Sequence, residues 1–209
     1  MTAAVAVSLL VAGCSGQGKS ESAVPEPSVI GTPVGDPVSS PAPATLAEPS
    51  ISPSPSSDAP LIEKIKHDLR ERTLKMAHAP GKTSATCDKD TLDEAEGSTV
   101  TCTVMYEGVE VKWPVKITGP SMGGMLLSYE AKPSTGILAR DGVIAAFWAN
   151  HHDSGTDLRC QSMPKAKAVP LNSQTAYRCS YLTKAPVGGQ PLWVDMNVNT
   201  REIGPYLTA

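Results

Sequence analysis

The sequence predicts an α+β protein in which two tandem helix-plus-antiparallel-sheet units, each α-β-β-β(-β) with a local disulfide, follow a disordered stalk. Three observations predict this class. A proline-rich tract fills the N-terminal part of the chain. After it, a segment with helical periodicity followed by strand-like alternation occurs twice. Four cysteines lie in two spaced pairs, one pair for each of these segments.

The N-terminus indicates an exported, lipid-anchored protein. Residues 3–12 are apolar except for Ser8, and Val11, Ala12 and Gly13 precede Cys14. This pattern resembles the lipobox of bacterial lipoproteins, which implies a diacylglycerol and palmitate on Cys14. Two acyl chains are enough for stable anchoring at the extracytoplasmic face of the cell membrane. Residues 1–13 are then the signal peptide. It lacks the usual basic n-region, so we expect the printed start to be N-terminally incomplete.

Residues 14–58 are predicted to be the lipid anchor and a disordered Pro/Ser-rich linker. Ten of the 19 prolines fall between residues 25 and 60, among Ser, Ala, Thr and Gly. Proline disfavours helices and sheet interiors, and the few apolar residues are isolated, so they do not offset the entropy of ordering. A second interpretation is that motifs such as Pro41-Ala42-Pro43 dock in an aromatic-lined groove.

The first unit is assigned to residues 59–132. Ile62, Ile65 and Leu69 repeat at near-helical spacing, and Asp58 is placed to cap the helix. Val109 to Ile117 alternates cleanly between apolar and polar residues, as a half-buried strand does. The predicted elements are a helix over 60–76 and strands over 83–87, 99–106, 109–118 and 125–131.

The second unit is assigned to residues 133–209 and repeats this order. A helix is predicted from Ser134 or Thr135 to Asn150, and Gly188-Gly189 is predicted to form a turn. The end of the chain supplies a last short strand, limited by Gly204-Pro205. The other predicted strands cover 156–161, 175–183 and 192–198.

The cysteines fit an oxidising compartment. Cys14 is assigned to the lipid, and the remaining four allow three disulfide pairings. The internal repeat favours Cys87–Cys102 and Cys160–Cys179, which would stabilise each unit by roughly 3 kcal/mol on a chain-entropy estimate. A four-cysteine metal site is the alternative, but no C-x₂-C spacing occurs, so no metal is expected.

The lipobox, the Pro/Ser-rich stalk and the small α+β units with one cysteine pair each are together similar to secreted lipoproteins of actinobacteria. Many of these carry domains of unknown function of the α-β-β-β type. The tandem helix-then-sheet outline is also similar to beta-lactamase inhibitory protein. That second resemblance implies a concave sheet rich in aromatic residues that is presented to a target enzyme.

Three polar groups are candidates for chemistry. His151-His152-Asp153 is interpreted as a solvated helix end, with a catalytic or metal site as the alternative. Ser121 in Gly119-Pro120-Ser121-Met122-Gly123 matches G-x-S-x-G, but a nucleophile elbow needs a strand before it and a helix after it, so we predict a turn. The acidic loop is interpreted as solvated rather than as a calcium site, because its carboxylates lack ordered ligand spacing; it contains Asp88, Asp90, Asp93, Glu94 and Glu96.

The three tryptophans divide into two predicted roles. Trp113 and Trp148 are predicted to be core residues. Trp193 alternates with the apolar face of its strand, which carries Leu192, Val194, Met196 and Val198. It is therefore the candidate binding residue, exposed or in contact with the other unit.

The sequence thus favours a non-catalytic, membrane-anchored envelope lipoprotein that binds an exported protein or a cell-wall component. No cofactor is expected. The net charge of −3 and the lack of a basic patch do not favour nucleic acid as a partner. One alternative is an inhibitor of an exported hydrolase, such as a beta-lactamase or a wall hydrolase. The other is a small hydrolase or metal-dependent enzyme that uses His151, His152 and the acidic loop.

Overall fold

The computed structural model of the chain describes residues 29–41, 50–121, 126–184 and 189–209. Over these residues the protein is α+β, with mostly antiparallel sheets, few helices and two disulfides. The lipobox prediction at Cys14 and the turn prediction at Gly188 lie outside the described residues. No helix within the described ranges is long and apolar enough to cross a membrane.

The described residues form two helices and eleven strands. The helices are α1 (Leu61–Ala77) and α2 (Arg140–His151). The strands are β1 (Asp36–Pro37), β2 (Thr83–Cys87), β3 (Thr99–Tyr106), β4 (Val109–Ser121), β5 (Leu126–Ala131), β6 (Gly136–Ala139), β7 (Gly155–Cys160), β8 (Ala166–Val169), β9 (Gln174–Thr183), β10 (Trp193–Asn199) and β11 (Tyr206–Thr208). They form a four-stranded, a five-stranded and a two-stranded sheet, ordered β2-β3-β4-β5, β1-β7-β9-β10-β11 and β6-β8.

Helix α1 packs on the four-stranded sheet and forms the first core. Its apolar stripe is buried against Val104, Val111 and other alternating residues of β3 and β4. Trp113 lies in the centre, where its Nε1–H donates to Thr73 Oγ1 at 3.2 Å, and Thr73 Oγ1 donates to the Leu69 carbonyl at 2.7 Å. The helix has nearly the predicted bounds. The prediction that Asp58 caps it is wrong, because Pro60 occupies the N-cap position without a side-chain cap bond.

The second core forms between α2 and the five-stranded sheet. Val143 and Phe147 of α2 are fully buried, as is Val198 of β10. Strands β7, β9 and β10 follow the predicted segments to within one residue, and the predicted last short strand is present as β11. The sheet is larger than predicted, because β1 adds to its edge.

The sequence prediction for residues 134–139 is wrong. These residues do not begin the helix; instead Gly136–Ala139 forms β6, which pairs with the unpredicted β8. Ile137 and Ala139 pack in the first core and Leu138 in the second. A short apolar run is compatible with a strand or a helix, and burial on both sides selects the strand here. The β6–β8 ribbon therefore joins the two cores.

Three further contacts hold the two cores together. A Cβ on Gly142 would lie 2.0 Å from the Ala77 carbonyl oxygen, so the N-terminus of α2 touches the C-terminus of α1. Lys165 Nζ donates to Glu107 Oε2 at 2.6 Å. The Ser134 amide donates to the Lys112 carbonyl at 2.8 Å. The two sheets are thus attached through backbone, side chains and the β6–β8 ribbon.

Residues 29–38, here called the strap, cross the five-stranded sheet. The Ile30 amide donates to the Pro191 carbonyl, and the Val34 amide to Ser180 Oγ, both at 3.0 Å. The strap ends in β1, which pairs with β7. The prediction of disorder throughout 14–58 is therefore wrong for these residues. Proline is tolerated on an edge strand, as at Pro37, and backbone hydrogen bonds replace the missing apolar burial.

The residues before α1 are also attached. Ile51 packs against the first core, and its carbonyl oxygen lies 3.3 Å from His67 Nε2. Lys64 of α1 donates to the Ser57 carbonyl. The segment from Ile51 to Ala59 consequently runs beside α1.

Both predicted disulfides are confirmed. Cys87 on β2 lies directly opposite Cys102 on β3, with 3.9 Å between the Cα atoms. Cys160 on β7 lies directly opposite Cys179 on β9, with 4.0 Å between the Cα atoms. Each bridge therefore links the first strand after a helix to the strand that pairs with it in the same sheet. These strands are β2 and β3 in the first sheet, and β7 and β9 in the second.

Candidate functional site

Trp193 opens β10 and is half-buried. Its indole shares one face of the five-stranded sheet with Arg159 of β7, whose Cζ lies 5.6 Å from the ring centroid. This is the face opposite the second core, and we call it the outer face. A guanidinium over an indole is attracted by the negative face of the ring. Trp193 and Arg159 therefore form one stacked unit across the sheet.

The strap contacts the stacked pair of Trp193 and Arg159. The Trp193 amide donates to the Ile30 carbonyl at 2.9 Å. A Cβ on Gly31 would lie 3.5 Å from the Trp193 Cβ, an ordinary van der Waals contact. Further along the strap, Val34 covers Ser180, which is fully buried although it lies on the outer face. The strap thus covers the middle of the outer face and leaves part of Trp193 exposed.

Two ion pairs flank the stack. Arg159 Nη2 lies 3.0 Å from Asp157 Oδ2 on the same strand. Arg178 Nη1 on β9 lies 3.2 Å from Asp195 Oδ2 on β10. Partly exposed pairs of this kind contribute little to stability. Their effect is to fix the direction of the arginine side chains, which orders the outer face around the indole.

An apolar rim adjoins Trp193. Ile30 is 56% exposed and forms a parallel bridge with Leu192, which is 41% exposed; Val29 beside it is 45% exposed. We call Val29, Ile30, Leu192, Trp193 and Arg159 together the outer patch. A contiguous exposed apolar cluster beside a half-buried tryptophan is typical of an interaction surface.

The sequence located only Trp193 of this surface. Arg159 lies two strands away from Trp193, and the diagonal contact depends on the sheet register, which sequence spacing does not show. The strap carries one sequence signal of its own. Gly31 and Gly35 both have positive φ and flank an apolar residue at the point where the chain approaches the sheet closely.

The other tryptophans differ in burial. Trp113 is 1% exposed and lies in the first core, as predicted. Trp148 packs against the second core but is only partly buried, and its indole stacks on the His152 ring with 5.6 Å between centroids. Trp148 therefore lies at the rim of the core rather than inside it.

The two histidines at the end of α2 contact different aromatic rings. His151 stacks on Tyr181 with 4.5 Å between centroids, and burial lowers its pKa below the ordinary value. His152 stacks on Trp148, and its Nδ1 lies 2.8 Å from the Trp148 carbonyl oxygen. Each imidazole thus has its own aromatic partner.

The remaining candidates lie apart from the outer patch. Gly119, Pro120 and Ser121 belong to β4, so the prediction of a turn is wrong for them, and Met122 and Gly123 lie outside the described residues. In the acidic loop, Asp88 Oδ1 accepts from the Thr101 amide at 3.0 Å. Among the described residues, no group of three His, Cys, Asp or Glu side chains is placed to hold a metal ion.

Comparisons with protein-family models, with curated proteins and with solved structures find no match to this chain.

Proposed function

We propose that this protein is a non-catalytic lipoprotein of the cell envelope, anchored in the membrane by lipid on Cys14, that binds an exported protein or a cell-wall component through the outer patch. The outer patch carries the proposal. It brings together a half-buried tryptophan with a stacked arginine on the outer face and three exposed apolar side chains beside the start of β10.

The chemistry of the outer patch favours a protein partner over a polymer. Tryptophan and arginine are enriched among the residues that dominate protein–protein binding energy. Sugar rings stack on an open indole face, whereas the Arg159 guanidinium occupies one face of Trp193. Exposed Ile30 and Leu192 would be desolvated by a protein surface, and burial of apolar area is favourable at about 25 cal/mol per Å².

The proposal includes duplication of one α+β unit. Two observations support duplication. Helix α1 is followed by the four neighbouring strands β2, β3, β4 and β5, and helix α2 is followed by β7, β9, β10 and β11, which are also neighbours in their sheet. In both cases the disulfide joins the first two of these strands. The strap lies on the second sheet only, so binding through Trp193 is a property of that unit.

Site-specific crosslinking in the native envelope tests the binding role. A photoreactive amino acid replaces Leu192 in the full-length chain, and crosslinked proteins are identified by mass spectrometry. We expect one crosslinked exported protein whose yield falls when Trp193→Ala or Arg159→Ala is added. A photoreactive residue in place of Lys116, exposed on the other sheet, is the control. Equal yields from both positions, or a yield unchanged by Trp193→Ala, would contradict the proposal.

The anchor is tested separately by metabolic labelling with a fatty-acid analogue. We expect label on the wild-type chain and none on Cys14→Ala, which should leave the membrane fraction. A Cys14→Ala chain that is still labelled, or that still partitions into membranes, would contradict lipidation at this residue.

A further inference from the structure

Strand β2 is an edge strand whose outer side is open. Cys87 and Cys102 face each other with only 3.9 Å between Cα atoms, which marks a pair that exchanges no backbone hydrogen bonds. The neighbouring bonds agree, since the Glu107 amide donates to the Lys82 carbonyl and the Asp88 amide to the Thr101 carbonyl. The pattern alternates, so Thr83, Ala85 and Cys87 turn their amides and carbonyls away from β3.

These outward groups have no partner within the described part of the chain. They are three donors and three acceptors spaced along one straight edge. Unpaired edges of this kind are templates for another extended strand, and native proteins usually cover or interrupt them.

The other disulfide shows how such an edge is filled in this protein. Cys160 on β7 occupies the corresponding position, and its edge is paired with β1, where Asp36 lies opposite Cys160 and Pro37 opposite Arg159. The Val38 amide donates to the Leu158 carbonyl at 2.8 Å. An extended segment therefore covers the β7 edge, whereas the β2 edge lies along a groove.

The groove beside β2 has a volume of about 510 Å³. Thr83, Ser84 and Ala85 form one wall, α1 forms the floor and residues 53–59 form the opposite wall. Two cations line it. Lys66 is paired with Glu63 at 2.9 Å, but within the described ranges no carboxylate oxygen lies within 4.0 Å of the Arg70 guanidinium.

Arg70 is oriented toward the strand edge. Its Nε donates to Thr83 Oγ1 at 3.1 Å, and the side chain is partly buried. Its two terminal nitrogens make no hydrogen bond to the residues that the structure describes, and they form a planar pair of donors, the geometry that a carboxylate accepts in bidentate fashion.

We infer that the β2 edge binds an extended peptide segment of an exported protein by strand addition, with an acidic side chain of that segment on Arg70. Backbone hydrogen bonds to Thr83, Ala85 and Cys87 give the affinity, and the guanidinium selects an acidic residue. This rests on the proposed binding function, and it assigns a second surface on the first sheet, separate from the outer patch.

Hydrogen exchange gives a test with an internal control. A random dodecapeptide library is first selected against the full-length protein, and the enriched peptide is then added. We expect the amides of Thr83, Ala85 and Cys87 to exchange quickly in the free protein and to become protected. Ser84 and Thr86 already bond to β3, so their exchange should not change. Protection that appears at Trp193 and not at β2 would overturn the inference while leaving the proposed function standing.

Variants test the chemistry of the peptide. Enriched peptides should carry Asp or Glu at a fixed position, and Arg70→Ala should weaken their binding roughly tenfold, with Arg70→Lys in between. Ala85→Pro removes one outward amide without breaking a bond to β3 and should also abolish binding. Lys116→Ala is the matched charge control and should bind as wild type. Peptides without an acidic bias, or equal binding by Arg70→Ala, would overturn the inference.

Discussion

Gly142 is the residue at which the two helices meet. A methyl group there would lie 2.0 Å from the Ala77 carbonyl oxygen, and that oxygen belongs to the backbone and has little freedom to move. Within a helix, Gly→Ala normally stabilises by about 0.5–1 kcal/mol. At Gly142 the steric overlap with the Ala77 carbonyl oxygen should cost more free energy than the gain in helix propensity provides.

We therefore expect Gly142→Ala to lower the free energy of unfolding by about 1–3 kcal/mol, the usual cost of overpacking. Urea denaturation measures the change. Ala149→Gly, on the exposed side of the same helix, serves as a control and should cost about 1 kcal/mol from helix propensity alone. If Gly142→Ala is as stable as wild type, the helices do not touch as described.

Two tyrosines, buried Tyr106 and half-buried Tyr129, make the stability depend on pH in the alkaline range. Burial raises the pKa of Tyr106 to about 12. Burial also raises the pKa of Tyr129, whose hydroxyl donates to Asp68 Oδ2 at 2.5 Å. Both phenols hold their protons more tightly in the folded than in the unfolded chain, where the pKa is near 10.

Their stabilising contribution is therefore complete below pH 10 and is lost as the pH rises toward 12. We expect the free energy of unfolding to fall over this interval, and the slope to be smaller in Tyr106→Phe. Denaturation at several pH values measures it, and ultraviolet titration follows phenol ionisation. Replacement of half-buried Tyr206 by Phe is the control. Equal slopes in wild type and Tyr106→Phe would count against burial as the cause.

At the scale of elements, the strap depends on Gly35. Its φ is +74°, and an added Cβ would lie 2.1 Å from the Cys160 carbonyl oxygen. We expect Gly35→Ala to detach the strap from β7 while both cores stay folded. The amides of Val34 and Val38 should then lose protection from hydrogen exchange, and Trp193 fluorescence should shift to longer wavelength. Gly97→Ala is the control. Gly97 has a φ of +87° and no atom of the described residues near its added Cβ, so the substitution introduces the same backbone strain away from the strap without a steric clash. An unchanged exchange rate at Val38 would contradict the prediction.

Elements with strong local patterns were predictable from sequence. The α1 stripe has a helical period, and Val109 to Ile117 alternates, so both were placed within a few residues. Elements whose structure depends on partners far away in the sequence could not be predicted in this way. Gly136–Ala139 is a strand because Ile137 and Leu138 face different cores, and β1 exists because the β7 edge accepts it. Neither cause leaves a periodic pattern in its own segment.

At the scale of the whole molecule, one ion pair reports on how the two sheets are joined. The hydrogen bond from Lys165, with a second from the Lys82 amide, holds the pKa of Glu107 below its ordinary value. A lowered carboxyl pKa stabilises the fold above the unfolded-state pKa of about 4.5, and that contribution is lost as the pH falls through the folded-state value.

A double-mutant cycle with Glu107→Gln and Lys165→Ala should therefore show favourable coupling at neutral pH and none in acid. Urea denaturation of the four proteins at each pH supplies the numbers. The Arg140–Asp141 pair, between neighbours on α2, is a control that does not join the sheets. Coupling that persists in acid would contradict the assignment to the ionised carboxylate.

The candidate site was predictable only in part for the same physical reason. Side chains alternate along β10, so Trp193 points away from the core face. This can be predicted from the sequence of that one strand. The stack with Arg159 depends on the order of three strands, and the hydrogen bond to Ile30 depends on a segment over 150 residues earlier in the chain. Contacts of such sequence separation are set by the whole fold.

The strap also sets how far the protein can stand from the bilayer. The strap is bonded to the five-stranded sheet from Ile30 onward, and 14 residues lie between Cys14 and Val29 in the sequence. With lipid on Cys14 as proposed, a segment of 14 residues reaches at most about 50 Å in any conformation. A linker running to residue 58 would have reached roughly 140 Å. On that proposal, the strap keeps the five-stranded sheet, and any partner bound at the outer patch, within about 50 Å of the lipid.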